Sequence, residues 1–462
     1  LRFDSLPMPL PSTLPIGPLD PSQLPKPLAM APGSAFEPNA LLNASSVTRL
    51  FEGEVLGSES VAVHPNGRDL VMCDRYGYVW RAKATETATE KKEGGGSEGG
   101  DGYDLDARPL AHLGAGRPLG FHFDASGNLL VCMSGGSGLV MLEAGAFEEG
   151  GGGKGRVVVL ASAVSPPADG GGSGGGDERG RALPRRPHSP ILYANDLDVS
   201  SRTGVVFFTD SAAIAPLRGR GGFWDTMQAY VLSLAQGEPT GRLLSYDPRT
   251  GETRVVAGGL WFANGVALAP CETWAAVVET NSLRVHKVYV EGPKKGQKEV
   301  LLDGLPGYPD GLSRAFRPAS DPGSREKEQD GFWLALVAPL QPAARHLAPW
   351  RLGRLLMAWT PEGARPPLRP WGAAARLGLR GAGGGGAGGQ GVEVEGWLLD
   401  PNGEALSSTS AVTDAREHGS GDRLFFGNLA GGYVSFVDGA SRKVEEAKRL
   451  RLRSSGVDRS EL

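Results

Sequence analysis

The chain has 462 residues, 40% of them hydrophobic, and a formal net charge of −4. That is enough for one large domain with a sizeable core, and the mixed charges exclude a basic nucleic-acid footprint. Cys73, Cys132 and Cys271 are too few for a disulfide framework and read as thiols buried in strands, while no apolar run reaches the roughly 18 residues of a membrane-spanning helix.

The chain opens on Leu1, which leaves room for a preceding targeting segment. Residues 1–40 are Pro-rich without periodicity and predict an extended arm. Asn43-Ala44-Ser45 matches a glycosylation sequon. Stretches near 86–104, 145–187 and 371–391 are glycine-rich and poor in the apolar residues that offset ordering entropy, so they predict disordered loop insertions. With these set aside, a repeat emerges between residues 41 and 446. Its units lie at 61–83, 121–143, 197–213 continued at 241–257, 266–291, Asp310 through 331–339 and 351–360, and 411–438. Each is a short apolar strand, a Pro/Asn/Asp/Gly turn, a second strand, a turn and a third strand.

Many short strands at this spacing predict an all-β fold. Recurrence of a unit of this size predicts a six-bladed β-propeller. A small sheet that is apolar on both faces must stack on neighbours, and closing the ring buries both faces and protects most strand edges. The strand near Val47 to Phe51 is expected to complete the last blade. Residues 223–237 place Trp224, Met227, Tyr230/Val231 and Leu234 at helical spacing. This predicts a short helical insertion in blade three, either packed on the surface or covering a pocket. Residues 447–462 are expected to be a polar tail.

Several motif matches carry nothing. Gly95–Gly99 and Gly171–Gly175 fit G-x-S-x-G, and Gly381–Gly386 fits G-x-G-x-x-G. All three lie in glycine runs without the strand and helix that such motifs need. More telling are polar residues just ahead of inner strands, since those strands begin at the central channel. Four qualify, each from a different repeat: Glu59 in LGSESVAVH, Asn195 in YANDLDVS, Asn264 in FANGVALA and Asp310 in PGYPDGLS. Two carboxylates and two amide carbonyls are hard oxygen donors, suited to Ca²⁺ or another divalent cation. Asn-Gly and Pro-Asp-Gly are also ordinary turn sequences, so each residue alone has a structural explanation.

The same stretches carry a likeness. Residues 50–64, 117–131, 195–199, 207–211, 241–247, 262–269, 288–292 and 306–312 together resemble the strictosidine-synthase-like family, in the branch containing adipocyte plasma membrane-associated protein. The likeness runs from about residue 37 to about 438. It implies a six-bladed propeller related to paraoxonases and gluconolactonases, which bind an axial divalent ion and hydrolyse esters, lactones or phosphotriesters. The ligand pattern of those relatives falls on Glu59, Asn195, Asn264 and Asp310. Three departures matter. Gly311 stands where many relatives carry a ligating Asn. Leu119 stands where paraoxonases carry a catalytic His, and His122, three residues on, is aimed elsewhere by strand alternation. The stretch Ser408 to Val412 lacks the Glu that strictosidine synthase uses in its last blade, and Glu404 and Glu417 are not in register with it.

Three functions therefore compete. The first is a Ca²⁺-dependent hydrolase of esters or lactones, with Asp310 as metal ligand and as nucleophile or base. The second is an alkaloid-type condensing enzyme, and the third a binding propeller with a structural ion. A small-molecule substrate and no nucleic acid are expected. Membrane attachment would need a segment outside this chain. The resemblance implies the secretory pathway, the endoplasmic reticulum, the vacuole or a membrane-anchored location.

Overall fold

A computed structural model describes residues 26–85, 102–148, 155–165, 189–219, 221–317, 328–340, 349–360, 364–365, 368–380, 391–418 and 421–455. Most of the expected insertions near 86–104 and 145–187, and residues 1–25 of the expected arm, lie outside these. The described residues form six antiparallel blades in chain order and a two-stranded ribbon, Leu217–Arg218 with Trp224–Asp225, that leads into the blade-three helix. Blade one is built from Val61–Val63, Leu70–Cys73, Tyr78–Ala84 and Tyr103–Leu105, and blade two from Arg117–Phe123, Leu129–Ser134, Gly138–Leu142 and Val157–Ala161. Blade three uses Ala194–Val199, Val206–Asp210, Gly241–Asp247 and Glu252–Leu260. Blade four uses Ala263–Leu268, Trp274–Glu279, Arg284–Tyr289 and Lys298–Leu302. Blade five uses Gly307–Phe316, Gln329–Pro339, Gly372–Leu379 and Val392–Asp400. Blade six uses Val412–Asp414, Arg423–Phe426, Val434–Asp438 and, from the other end of the chain, Val47–Leu50.

The ring closes because each blade is apolar on both faces. Strands such as Leu129–Ser134 and Trp274–Glu279 are buried along their whole length, the pattern of a sheet covered on both sides. Each blade-to-blade interface has its own apolar cluster. Val71, Phe121 and Val131 join blades one and two, and Cys132, Leu197 and Phe208 join two and three. Leu243, Val266 and Val277 join three and four, and Trp274, Phe332 and Leu334 join four and five. Trp333, Val412 and Leu424 join five and six, and Phe425, Val61 and Met72 bring six back to one. Val47 pairs with Val437 and Leu50 with Val434, so the first strand completes the last blade as expected. All three cysteines are free, Cys73 and Cys132 buried in strands and Cys271 half-buried in a turn.

Blade five departs from the expected assignment. Residues 351–360 were expected as a strand, but Arg351–Trp359 is a helix, because Leu, Arg, Met and Ala are strong helix formers. The third strand is instead Gly372–Leu379, inside the stretch expected to be a glycine-rich insertion. Its small residues sit buried between the second and fourth strands. Residues 381–390 of that stretch lie outside the described residues.

The helix expected at 223–237 spans Thr226–Gln236. Asp225 caps it by accepting from the Gln228 amide at 2.8 Å, and Gly237 ends it at φ 67°. The buried stripe is Thr226, Ala229, Leu232 and Ser233, with Met227 exposed. The expected stripe of large residues is therefore rotated, because the small-residue face is the one that fits against the ring.

The expected tail and arm are also shorter. A helix, Ala440–Ser454, occupies the start of the tail and packs Val444 and Ala447 onto the blade five–six cluster. Within the arm, Phe36 is fully buried and meets Trp397 edge-on at 5.3 Å. Asn39 donates to the Trp397 carbonyl at 2.8 Å. This segment is a strap on blade five, so Phe36→Ala should cost about 3–5 kcal/mol, measured from the urea midpoint at unchanged m-value.

Candidate functional site

The site is made by a repeated fault in the sheets. In blades two to five, the pairing of the first strand with the second shifts register near its start, between Pro118 and Phe121, Ala194 and Leu197, Ala263 and Val266, and Pro309 and Leu312. A bulge leaves a residue unpaired and re-aims its side chain. The residues within these four shifts are Leu119-Gly120, Asn195-Asp196, Asn264-Gly265 and Asp310-Gly311. Three of the four expected site residues are therefore bulge residues at equivalent places, and the fourth, Glu59, directly precedes the inner strand of blade one. All four are buried.

Glycine is the second residue in three of the four bulges for a steric reason. A Cβ at Gly120 would lie 2.2 Å from Asp196 Oδ1, and one at Gly265 would lie 2.3 Å from the Leu312 nitrogen. At Gly311 it would lie 2.7 Å from the Ser410 carbonyl oxygen. The departure at Gly311 is thus built into this backbone: a ligating side chain there would displace blade six, to which the Gly311 amide donates at 2.8 Å.

Hydroxyl groups just past the ends of the second strands fix the amides. Asn195 Nδ2 donates to Ser211 Oγ at 3.0 Å, and Ser211 in turn donates to the Ala263 carbonyl at 2.6 Å. One blade on, Asn264 Nδ2 donates to Thr280 Oγ1 at 3.1 Å, and Thr280 donates to the Pro309 carbonyl at 2.8 Å. Ser410 closes the series by donating to the Glu59 carbonyl at 2.7 Å. Asn264 Nδ2 also donates to Asp310 Oδ1 at 2.5 Å. With both amide nitrogens engaged, Asn195 Oδ1, Asn264 Oδ1 and Glu59 Oε2 are buried and have no hydrogen-bond partner among the described residues. Leaving one such oxygen unpartnered costs about 1–3 kcal/mol, so three at one place mark a built acceptor set. Hard oxygens of this kind fit a divalent cation. Among the described residues no group of three His, Cys, Asp or Glu gathers in metal-holding form; half of this donor set is amide.

The charges are crowded. Burial pushes the Glu59 carboxyl well above its usual range, and Asp310 and Asp196 push it further. Asp310 is raised to about 7 by burial and by Asp196, against the hydrogen bond from Asn264. Asp196 reaches about 7, although it accepts from the Val266 amide of blade four at 3.1 Å. Arg117 is the cation beside Glu59; burial lowers it to about 10. It donates to Thr226 Oγ1 at 3.3 Å and to the Leu429 carbonyl at 2.7 Å. Above these groups lies an apolar roof. The Tyr193 and Tyr230 rings stand edge-on to Phe262 at 5.1 and 4.9 Å, against Ala229 of the blade-three helix. Tyr193 donates to the Thr226 carbonyl at 3.1 Å.

The channel continues along the axis as a cavity of about 50 Å³ lined by the inner strands of all six blades. His122 lies there, about 10 Å beyond the level of Leu119 at ~3.3 Å per residue. Its Nε2 meets Glu417 Oε1 at 3.1 Å, an ion pair from blade two to blade six that spans blade one. Arg314 pairs with Asp198 at 2.9 Å beside it. His122 is therefore a clasp and not a site base. Glu417 is engaged in the channel and Glu404 is exposed, so neither supplies a last-blade base at the site. Asp210 and Glu279, at the ends of the second strands of blades three and four, play matched roles outside the site. Each accepts from the lead-in of its own blade, at the Tyr193 and Trp261 amides, both at 2.7 Å.

Comparison with known proteins bears on the whole arrangement. Residues 195–293, which include Asn195 and Asn264, match the strictosidine synthase family. Over those residues the chain is similar to that family, and the fold that carries them is a six-bladed propeller. It is 38% identical over 178 residues to Protein Strictosidine synthase-like 13 of Arabidopsis thaliana, covering 37% of this chain and 38% of that protein. It is 34% identical over 146 residues to the adipocyte plasma membrane-associated protein of Bos taurus, covering 32% and 30%. The chain thus spans about a third of the length of the curated relatives it matches. Among solved structures, a Xanthomonas campestris gluconolactonase aligns at 15% identity and TM-score 0.45, over 85% of this chain and 88% of that one. A calcium-binding regucalcin of Agrobacterium tumefaciens aligns at 12% identity and TM-score 0.40, over 84% and 92%.

Gly265→Ala should destabilise by about 1–3 kcal/mol through backbone overlap. Gly145→Ala, whose Cβ meets nothing within 4 Å, should be near neutral in the same denaturation assay. The clasp should also make stability pH-dependent. Burial opposes the His122 charge, but Glu417 outweighs it and raises His122 to about 9 from 6.5; Glu417 falls to about 2 from 4.5. Asp198, Arg314 and His418 share this end of the channel. The raised His contributes fully below 6.5 and is lost as pH climbs through 9, while the depressed Glu is lost as pH falls from 4.5 through 2. Thermal melts of wild type and His122→Asn should therefore converge between pH 6.5 and 9; a difference independent of pH would refute the clasp.

Proposed function

We propose that Glu59, Asn195, Asn264 and Asp310 hold a divalent cation, Ca²⁺ by the chemistry of the donors, and that the protein hydrolyses esters or lactones there. The observation that carries this is the set of buried oxygens without partners, Glu59 Oε2, Asn195 Oδ1 and Asn264 Oδ1, gathered with the Asp310 carboxylate. Two carboxylates balance a divalent charge, and two amides add oxygens without adding repulsion. When bound, the ion would supply Lewis-acid polarisation of the substrate carbonyl.

The chain's own residues supply the rest. Asp310 takes a proton from a water molecule as its oxygen adds to the ester carbonyl carbon. The C–O bond to the leaving group then breaks, and the alkoxide departs with that proton. Ser211 and Thr280 keep the amide oxygens of Asn195 and Asn264 turned inward. Tyr193, Tyr230 and Phe262 exclude water above the site. The roof implies that the blade-three helix must shift to admit substrate.

The test is turnover of aryl esters and lactones by purified protein. Activity should vanish with chelator, return with Ca²⁺, and fall at least about a hundredfold in Asp310→Asn, as for loss of a general base. The closed roof favours a second reading, in which the ion is structural. In that case Ca²⁺ raises the melting temperature of wild type and not of Asp310→Asn, while no ester or lactone turns over. Absence of both effects would remove the metal site itself.

A further inference from the structure

The helix Arg351–Trp359 in blade five is inside out. Its inward face carries Gly353, Arg354 and Ala358, all buried. Its outward face carries Leu352, Leu356 and Trp359 at i, i+4 and i+7, which is one stripe of a helix. These side chains are 65%, 52% and 54% exposed, and Trp350 at the helix start is 70% exposed. Arg354 explains the inward polarity. It lies against Gly237, where the blade-three helix ends and its last carbonyls carry partial negative charge; a Cβ at 237 would overlap Arg354 Nη1. Ala358 packs with Leu232 and Ala235 of the same helix.

An exposed row of two tryptophans and two leucines on one short helix marks a surface built to leave water. The helix contains no carboxylate, and Arg351 is exposed at its N-terminal end. Apolar side chains that enter the acyl boundary, indoles that suit the headgroup level and a flanking cation without a neighbouring carboxylate on the helix describe an interfacial helix. Among the described residues no helix is long and apolar enough to cross a membrane, so the chemistry is that of a face resting on a bilayer.

We propose that Trp350, Leu352, Leu356 and Trp359 form a docking face for an anionic lipid surface. This does not depend on the axial site being catalytic. The full chain should co-float with phosphatidylcholine vesicles containing phosphatidylserine, with a blue shift in tryptophan emission. The double variant Leu352→Ser/Leu356→Ser should weaken partitioning about a hundredfold, from about tenfold per leucine removed from the interface. Arg351→Gln should reduce the dependence on phosphatidylserine. Both variants change exposed positions, and an unchanged melting temperature confirms that they fold. The proposal is overturned if wild type does not bind vesicles, or if binding survives the double variant. It is equally overturned if sedimentation shows a dimer that the double variant splits, since the face would then serve a second copy of the chain.

Discussion

The inner strands approach one another so closely at the axis that a methyl group at Gly120, Gly265, Gly311 or Gly427 would overlap the adjoining blade. Much of the remaining structure follows from this crowding. Regular pairing cannot continue into so narrow a space, and four successive inner strands break register at the same level. Each break pairs a side chain with a residue whose own position is filled by the neighbouring strand. Where that second residue is not glycine it is Asp196, which does what a glycine cannot: its carboxylate accepts from the Val266 amide of the next blade. Two residues on, Asp198 repeats the arrangement with the Leu268 amide at 2.7 Å. The free edges of inner strands need such acceptors, because buried amides without partners are costly.

The same crowding sets the electrostatics. Glu59, Asp196 and Asp310 lie within one another's fields, and Arg117 is the opposing charge named beside Glu59. Apolar side chains at these positions would have avoided the strain. Retaining carboxylates there, with amide oxygens turned inward by Ser211 and Thr280, makes chemical sense when positive charge is received at that point. Further along the channel the charges are matched instead, His122 with Glu417 and Arg314 with Asp198. One axis therefore carries two regimes, an acidic set in excess at the start of the inner strands and paired ions beyond it.

These features were unevenly legible in the sequence. The blades were readable because inter-blade burial demands apolar runs between turn residues, and Glu59, Asn195, Asn264 and Asp310 stood out as candidates because they are polar and lie at the start of such runs. The bulges were not read, although Leu119-Gly120, Asn264-Gly265 and Asp310-Gly311 carry a shared signal: a glycine inside an inner strand marks close backbone approach. Blade five misled. Gly372–Leu379 is so rich in Gly and Ala that it resembles the adjoining glycine run, yet small residues are what its crowded position accepts. Residues 351–360 read as a strand because they follow an apolar strand in the fifth repeat, and only the i, i+4, i+7 spacing of Leu352, Leu356 and Trp359 marks the helix. The clasp was out of reach, since His122 and Glu417 are 295 residues apart and no local pattern joins them.

The surface helix and the axial acids are linked by a short line of contacts. Arg354 and Ala358 hold the C-terminal half of the blade-three helix through Gly237, Leu232 and Ala235. The N-terminal residue of that helix, Thr226, holds Arg117 through its hydroxyl and Tyr193 through its carbonyl. Arg117 in turn faces Glu59. The helix is eleven residues long, about 16 Å at ~1.5 Å per residue, and rigid on that scale. One helix therefore supplies Tyr230 to the roof, anchors Tyr193 through the Thr226 carbonyl, and holds Arg117, the cation that opposes Glu59, through the Thr226 hydroxyl. The roof and the charge balance beneath it are in this way positioned by one element.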